Sequence, residues 1–97
     1  MKTWLRTLAV ALALALPAAA DAACYVEYKA KQDGPLRLHY GIALLHSATC
    51  PSRDSAAAQL VQRLDRNGWT LLTVIAVSTG EPSGKKKANA GDYYLRF

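Results

Sequence analysis

The stretch that most constrains the fold of this chain is "LDRNGWTLLTVIAV", residues 64–77, where a helical pattern stops at a glycine and an apolar run begins. Upstream of that glycine, apolar residues recur at the i, i+3, i+4, i+7 spacing of one buried helix face: Ala57, Leu60, Val61 and Leu64. Pro51 suits a first helical turn, and Ser52 is an alternative cap. The pattern predicts a helix within residues 50–68.

Gly68 is placed to be the left-handed residue just past this helix, with Trp69 directly after it. Leu64 then occupies the position that commonly contacts the residue after the glycine in a Schellman helix stop. We therefore predict that Trp69 closes the hydrophobic core and is not a ligand platform. Residues 69–77 are apolar on both faces, which predicts a central strand covered at least partly on each side.

The sequence predicts further strands in the rest of the domain. Residues 24–31 alternate between apolar and polar, the pattern of a half-buried strand, and a turn cluster with Gly34 follows. Residues 36–49 favour a second strand hairpinned to the first, although a helix stays open because their second half is apolar throughout. Residues 93–97 alternate again and predict a last strand, after a long polar loop at 78–92. The predicted fold class is α+β: one helix on a mostly antiparallel sheet of about four strands, in the order β-β-α-β-β.

Residues 1–22 have the pattern of a cleaved signal peptide. Lys2 and Arg6 precede an apolar run, and Ala20-Asp21-Ala22 fits the small-x-small pattern of a cleavage site, with Ala18-Ala19-Ala20 as a second site. The run is far shorter than the roughly 20 residues of a spanning helix, so no transmembrane segment is expected after cleavage. We expect a periplasmic or secreted chain with one small domain at 23–97. Cleavage removes two cations and one anion from the net charge of +5, which leaves +4.

Cys24 and Cys50 are the two cysteines of the chain. An exported protein meets an oxidising compartment, so this pair predicts a disulfide, which the chain-entropy model values at roughly 3–4 kcal/mol for a loop of this length. Lipidation of Cys24 is the alternative, and Asp21 disfavours it because a lipobox has a Leu-like residue at that place.

Three segments resemble a small bacterial family of domains of unknown function: "YVEYKAK" (25–31), "LVQRLDRNGWTLLTV" (60–74) and "YYLRF" (93–97). The family opens with a Tyr-rich strand, has a helix that ends in Leu-x-x-x-Gly-Trp-Glu-Leu, and closes with a strand like Tyr-Tyr-x-Phe. The matching residues are Tyr25, Tyr28, Lys29, Leu64, Gly68, Trp69, Leu71, Tyr93, Tyr94 and Arg96. Thr70 departs from the usual Glu, and the cysteine pair is not a family hallmark. The resemblance implies the fold and, because the family has no assigned activity, little about function.

No catalytic, cofactor-binding or metal-binding residue is predicted, because the chain has none of the strong motifs for these sites. His39 and His46 are seven residues apart, which puts them on opposite faces of a strand, and we expect both on solvated surfaces. The basic run Lys85, Lys86 and Lys87 is the predicted contact for a partner, either an envelope protein or an anionic surface. Nucleic acid is not expected as a partner of an exported chain.

These features favour an exported, disulfide-stapled binding module of the cell envelope that is not an enzyme. Its binding surface would be the basic loop or the solvent face of the sheet. The alternative is a small envelope enzyme, or an enzyme inhibitor that inserts the 78–92 loop into the cleft of its target.

The disulfide and the export signal predict one mass-spectrometric result. The chain recovered from an expressing bacterium should begin near Ala23, and its mass should be lower by two hydrogens than that of the reduced chain. Two free thiols, or a diacylglyceryl adduct on Cys24, would contradict the prediction.

Overall fold

A computed structural model describes residues 23–47 and 49–97 of the chain, so the predicted signal peptide at 1–22 lies outside the described residues. The elements are two strands, a helix, a third strand and a second, short helix. They are β1 (Ala23–Gln32), β2 (Arg37–His46), α1 (Arg53–Asp65), β3 (Thr70–Ser78) and α2 (Gly84–Ala90), followed by a 3₁₀ turn at Gly91–Tyr93.

The three strands form one antiparallel sheet in the order β2-β1-β3. β1 pairs with β2 along its whole length, from Ala23 opposite His46 to Gln32 opposite Arg37. The strand reading of residues 36–49 is therefore confirmed for Arg37–His46, and the helical alternative is wrong. Gly34 has a φ of 73°, the left-handed conformation that a tight connection between these strands uses.

Helix α1 begins at the alternative cap Ser52, so Pro51 precedes the helix and does not lie in its first turn, and it ends as the sequence predicts. The Ser52 hydroxyl accepts a hydrogen bond from the Ser55 backbone N–H at 3.1 Å, which makes Ser52 the N-cap. Gly68 has a φ of 79°, and the N–H of Trp69 donates to the Leu64 carbonyl at 2.9 Å. This is the Schellman stop, so the helix end is confirmed.

The core lies between α1 and one face of the sheet. Fully buried side chains alternate along β1, at Cys24, Val26, Tyr28 and Ala30. Leu60 and Leu64 of α1 pack on them, and Trp69 is only 7% exposed, which confirms it as a core residue. Cys24 and Cys50 form the predicted disulfide, with their Cα atoms 5.4 Å apart.

Two predictions about burial are wrong. The buried face of α1 runs through Ala56, Leu60 and Leu64, whereas Val61 is 41% exposed. The apolar strand β3 is an edge strand of the sheet, because β1 takes the central place. Leu72 and Ile75 of β3 are accordingly exposed.

The C-terminal part also differs from its prediction. Residues 78–92 are not a continuous loop: Ser83 caps a helix by accepting from the Lys86 N–H at 3.2 Å, and that helix is α2. Residues 93–97 do not form a fourth strand, because their pairing with the sheet is limited to a parallel bridge between Ile42 and Tyr94. The Leu95 N–H donates to the Ile42 carbonyl at 2.7 Å, and this tail thereby covers part of the β2 edge. The order is thus β-β-α-β-α with three strands, still of class α+β.

The burial of Trp69 predicts a large loss of stability in the Trp69→Ala variant. Removing a buried indole leaves a cavity and costs about 3–5 kcal/mol, most of the stability of a domain this small. Leu72→Ala is the matched control, because Leu72 is half exposed and its loss should change the free energy of unfolding little. Chemical denaturation followed by circular dichroism measures both, and equal effects of the two changes would contradict the assignment of Trp69 to the core.

Candidate functional site

The face of the sheet opposite α1 carries a polar cluster at its centre, formed by Glu27 of β1, Tyr40 of β2 and Lys86 of α2. The Tyr40 hydroxyl donates to one carboxylate oxygen of Glu27 at 2.9 Å, and the Lys86 ammonium donates to the other, also at 2.9 Å. Partial burial and the bond to the Glu27 carboxylate raise the pKa of Tyr40 to about 12, because both disfavour the phenolate. The cluster ties α2 to the sheet.

Lys29 lies two residues along β1 from Glu27, on this same face. Both oxygens of Glu27 already have partners, and Lys29 takes part in none of the ion pairs of the described residues. Its exposed side chain therefore carries a positive charge outside any ion pair of the described residues, although the Glu27 carboxylate lines one of the same depressions. Such a charge attracts an anionic group of a partner.

Two irregularities in the pairing of β1 with β3 supply apolar neighbours. Glu27 faces Ala76 and Tyr28 faces Val74, which leaves Ile75 as an extra residue on β3. Leu72 is the extra residue between the next two pairs. Bulges of this kind redirect side chains, and here Leu72 and Ile75 both line depressions on the open face of the sheet.

These depressions adjoin at Lys29 and Tyr40, which line both of them. One has a volume of 230 Å³, with Leu38 and Leu72 among its lining residues. The other has a volume of 570 Å³, and Ile75 lines it together with the polar cluster. We call this surface the open-face groove and define it by Lys29, Leu38, Tyr40, Leu72 and Ile75. It combines apolar walls with the Lys29 ammonium at its centre, and the Glu27–Lys86 ion pair lies at the edge of the larger depression.

The basic run that the sequence singled out lies on α2. Lys86 pairs with Glu27, and the Lys87 ammonium is 3.2 Å from a carboxylate oxygen of Glu81. Lys85 is exposed and belongs to none of the ion pairs of the described residues. Two of the three lysines thus hold the fold together locally, and the run does not present three free charges to a partner.

His39 is buried, which contradicts the expectation of a solvated histidine. Leu36 and Leu38, whose side chains alternate with that of His39, are 64% and 66% exposed. Instead His39, at 8% exposure, faces the core together with Gly41, where a Cβ atom would lie 2.5 Å from the Tyr28 ring. The absence of a side chain on Gly41 therefore makes room for Tyr28 beside His39.

Aromatic rings surround His39. Its ring stacks on Tyr93 with centroids 3.8 Å apart and meets the edge of Trp69 at 4.3 Å. Its Nε2 atom is hydrogen-bonded to the Tyr28 hydroxyl at 2.9 Å, while its Nδ1 atom is buried without a partner in the described structure. Burial lowers the pKa of His39 to about 4 and raises that of Tyr28 to about 12. Both groups are neutral near pH 7, which suits a packed core and not proton transfer at that pH.

The structure keeps the two histidines apart, as the strand spacing predicts: His39 is buried and His46 is exposed. Among residues 23–47 and 49–97, no three His, Cys, Asp or Glu side chains gather as a metal-binding group. In the same ranges, no helix has the length and apolarity needed to cross a membrane.

The sequence indicated only part of the open-face groove. The alternation in β1 placed Lys29 on the polar face, in agreement with the structure. The contributions of Tyr40, Leu72 and Ile75 were not predicted, because the alternation of β2 does not indicate which of its faces turns inward and the bulges of β3 have no clear sequence signal. Gly41 has no side chain and Ala43 has a small one, and they lie opposite Tyr28 and Val26. These small residues were the available sign that this side of β2 packs inward.

Comparison of the chain with models of protein families, with curated proteins and with solved structures finds no match. The resemblance to a domain family of unknown function therefore stays a prediction, and the site is interpreted from its own geometry.

The lowered pKa of His39 predicts a loss of stability in acid. The unfolded chain binds a proton near pH 6.5 and the folded chain only near pH 4, so the contribution of neutral His39 is complete above pH 6.5. It falls as the pH drops from 6.5 to 4, by on the order of 3 kcal/mol. Urea denaturation across this range measures the loss.

The comparison of two variants isolates this effect from the titration of carboxylates. His39→Phe keeps an aromatic ring but cannot titrate, so its free energy of unfolding should depend less on pH than that of the unmodified chain. His46→Gln should retain the original pH dependence. An unchanged slope in His39→Phe would show that His39 is not the responsible group.

Proposed function

We propose that this chain is an exported binding module of the cell envelope that holds an acidic, partly apolar peptide segment of a partner protein in its open-face groove. The observation that carries the proposal is the unpaired Lys29 ammonium between the exposed side chains of Leu38 and Leu72. The proposed action is binding without catalysis.

Export is supported by the disulfide together with the pattern of residues 1–22. A Cys24–Cys50 bridge persists in oxidising compartments, and the signal pattern directs a chain to one of them. The periplasm or the extracellular space is thus the proposed location. The partner is then an envelope protein that meets the chain after export.

A peptide segment suits the groove better than a compact small molecule does. Two shallow depressions lie on either side of Lys29 and Tyr40. An extended peptide can place separate side chains in such neighbouring depressions, while a carboxylate between them reaches Lys29. The positive net charge of the chain adds attraction for an acidic partner at long range.

The open-face groove has better support as the binding surface than the basic run does. Lys86 and Lys87 have ion-pair partners within the chain, and a competing ligand would have to break these pairs. The inhibitor alternative required a protruding loop at 78–92, where the structure has the short helix α2. Lys86 reinforces this point, because its bond to Glu27 holds α2 against the sheet.

The test is selection from a displayed library of random peptides against the purified, disulfide-bonded chain. Peptides that combine Asp or Glu with apolar residues should be enriched, and their binding should weaken with salt. Lys29→Glu reverses the central charge and should raise the Kd of a selected peptide by about tenfold, equivalent to about 1.4 kcal/mol. Leu72→Ser should weaken the same peptide, because it removes an apolar wall.

Val61→Ser is the matched control, since Val61 is exposed on α1 and does not line the groove. It should leave the Kd unchanged. Enrichment of basic peptides, or peptide binding that survives both Lys29→Glu and Leu72→Ser, would refute the open-face groove as the binding site.

A further inference from the structure

A second surface, at the C-terminal end of α1, gathers three arginines. A cavity of 210 Å³ is lined by Arg63, Arg66, Asn67, Arg96 and Phe97. We call it the arginine pocket. It shares no lining residue with the open-face groove.

Most of the last carbonyl groups of α1 already accept hydrogen bonds from groups other than the arginine side chains. The Leu64 and Asp65 carbonyls accept from the backbone N–H groups of Trp69 and Gly68 in the Schellman stop. The Arg63 carbonyl accepts from the Asn67 side-chain amide at 2.8 Å. In the described part of the chain, Arg63 and Arg66 each donate one side-chain hydrogen bond, so most of the donors on the three guanidinium groups are available to another partner.

Two of the guanidinium groups are held in place by a single bond each. Arg63 donates from Nη1 to the Leu44 carbonyl at 2.9 Å, and Arg66 donates from Nε to the Gln62 carbonyl at 3.3 Å. The guanidinium carbon of Arg96 lies 5.8 Å from the centre of the Phe97 ring, within the range of a cation–π contact. These contacts reduce the side-chain entropy that would be lost on binding a ligand.

No Asp or Glu side chain of the described residues pairs with this cluster. Each ion pair in the described part of the chain uses a lysine, and none uses an arginine. The lining of the pocket contains no carboxylate side chain. Three like charges around one cavity repel one another, and an anion in the cavity relieves this repulsion.

We infer that the arginine pocket binds a phosphate group. Arginine presents its N–H donors in a planar fork that matches two oxygens of a phosphate. Three guanidinium groups around a small cavity can hold a tetrahedral oxyanion from several sides. The phosphate has two sources in an envelope, a soluble phosphate compound or the headgroup of an anionic lipid.

Titration of inorganic phosphate into the ¹⁵N-labelled chain, followed by NMR of the arginine Nε–H signals, tests the inference. Phosphate should shift the signals of the pocket arginines saturably, and sodium chloride at equal ionic strength should not. The double variant Arg66→Gln, Arg96→Gln should raise the Kd by about tenfold or more, since each guanidinium contributes charge-assisted bonds. Lys85→Gln removes one charge outside the pocket and should leave the Kd unchanged.

The double variant Arg66→Lys, Arg96→Lys separates geometry from charge. It keeps both charges but loses the forked donors, so its affinity should lie between those of the unmodified chain and the glutamine variant. Far-UV circular dichroism confirms that each variant is folded. Shifts that chloride reproduces, or equal affinities in all of these variants, would overturn the inference.

Vesicles distinguish the two sources of phosphate. The chain is sedimented with vesicles of phosphatidylglycerol in phosphatidylcholine and with vesicles of phosphatidylcholine alone. Retention on the anionic vesicles, lost in the glutamine double variant, supports a lipid headgroup. Phosphate binding without vesicle retention supports a soluble phosphate compound. Retention that does not depend on Arg66 and Arg96 would refute the pocket as the lipid site.

Discussion

The burial of one face of β1 is the constraint on which the rest of the structure depends. β1 pairs with a strand on each side, and its inward side chains from Cys24 to Ala30 are fully buried under α1. A strand repeats every two residues, so this burial also determines that Glu27 and Lys29 face the other side. Core and open-face groove are thus two consequences of one alternating sequence.

The groove remains available because the structure covers the two faces of the sheet unequally. α1 has three turns and the support of the disulfide near its start, and it packs along one face. α2 is only seven residues long and is attached over the other face through Lys86 and Glu27. Leu72 and Ile75 of β3 therefore stay exposed, and exposed apolar patches of this kind are a common feature of interaction sites.

The polar groups of this small domain fall into two kinds. His39 and Tyr28 are buried among aromatic rings and stay neutral near pH 7, with pKa values of about 4 and about 12, so they contribute packing. Among the described residues, Lys29 and the three arginines of the arginine pocket have unused donors and line depressions at the surface. This separation supports the proposed role in binding.

The sequence by itself determined the local features: the capped helix, the stop at Gly68, the alternation of β1 and the disulfide between the two cysteines of the chain. Each follows from a spacing or a backbone preference that acts within a few residues, or from the cysteine count. Tertiary structure alone decided that β3 lies at the edge, that His39 is buried, and that residues 93–97 form a tail beside Ile42 in place of a fourth strand. An apolar run does not say which neighbour covers it, and β2 could have placed either face inward. Packing across the sheet decided which face of β2 turns inward, because the lack of a side chain on Gly41 leaves space for the ring of Tyr28.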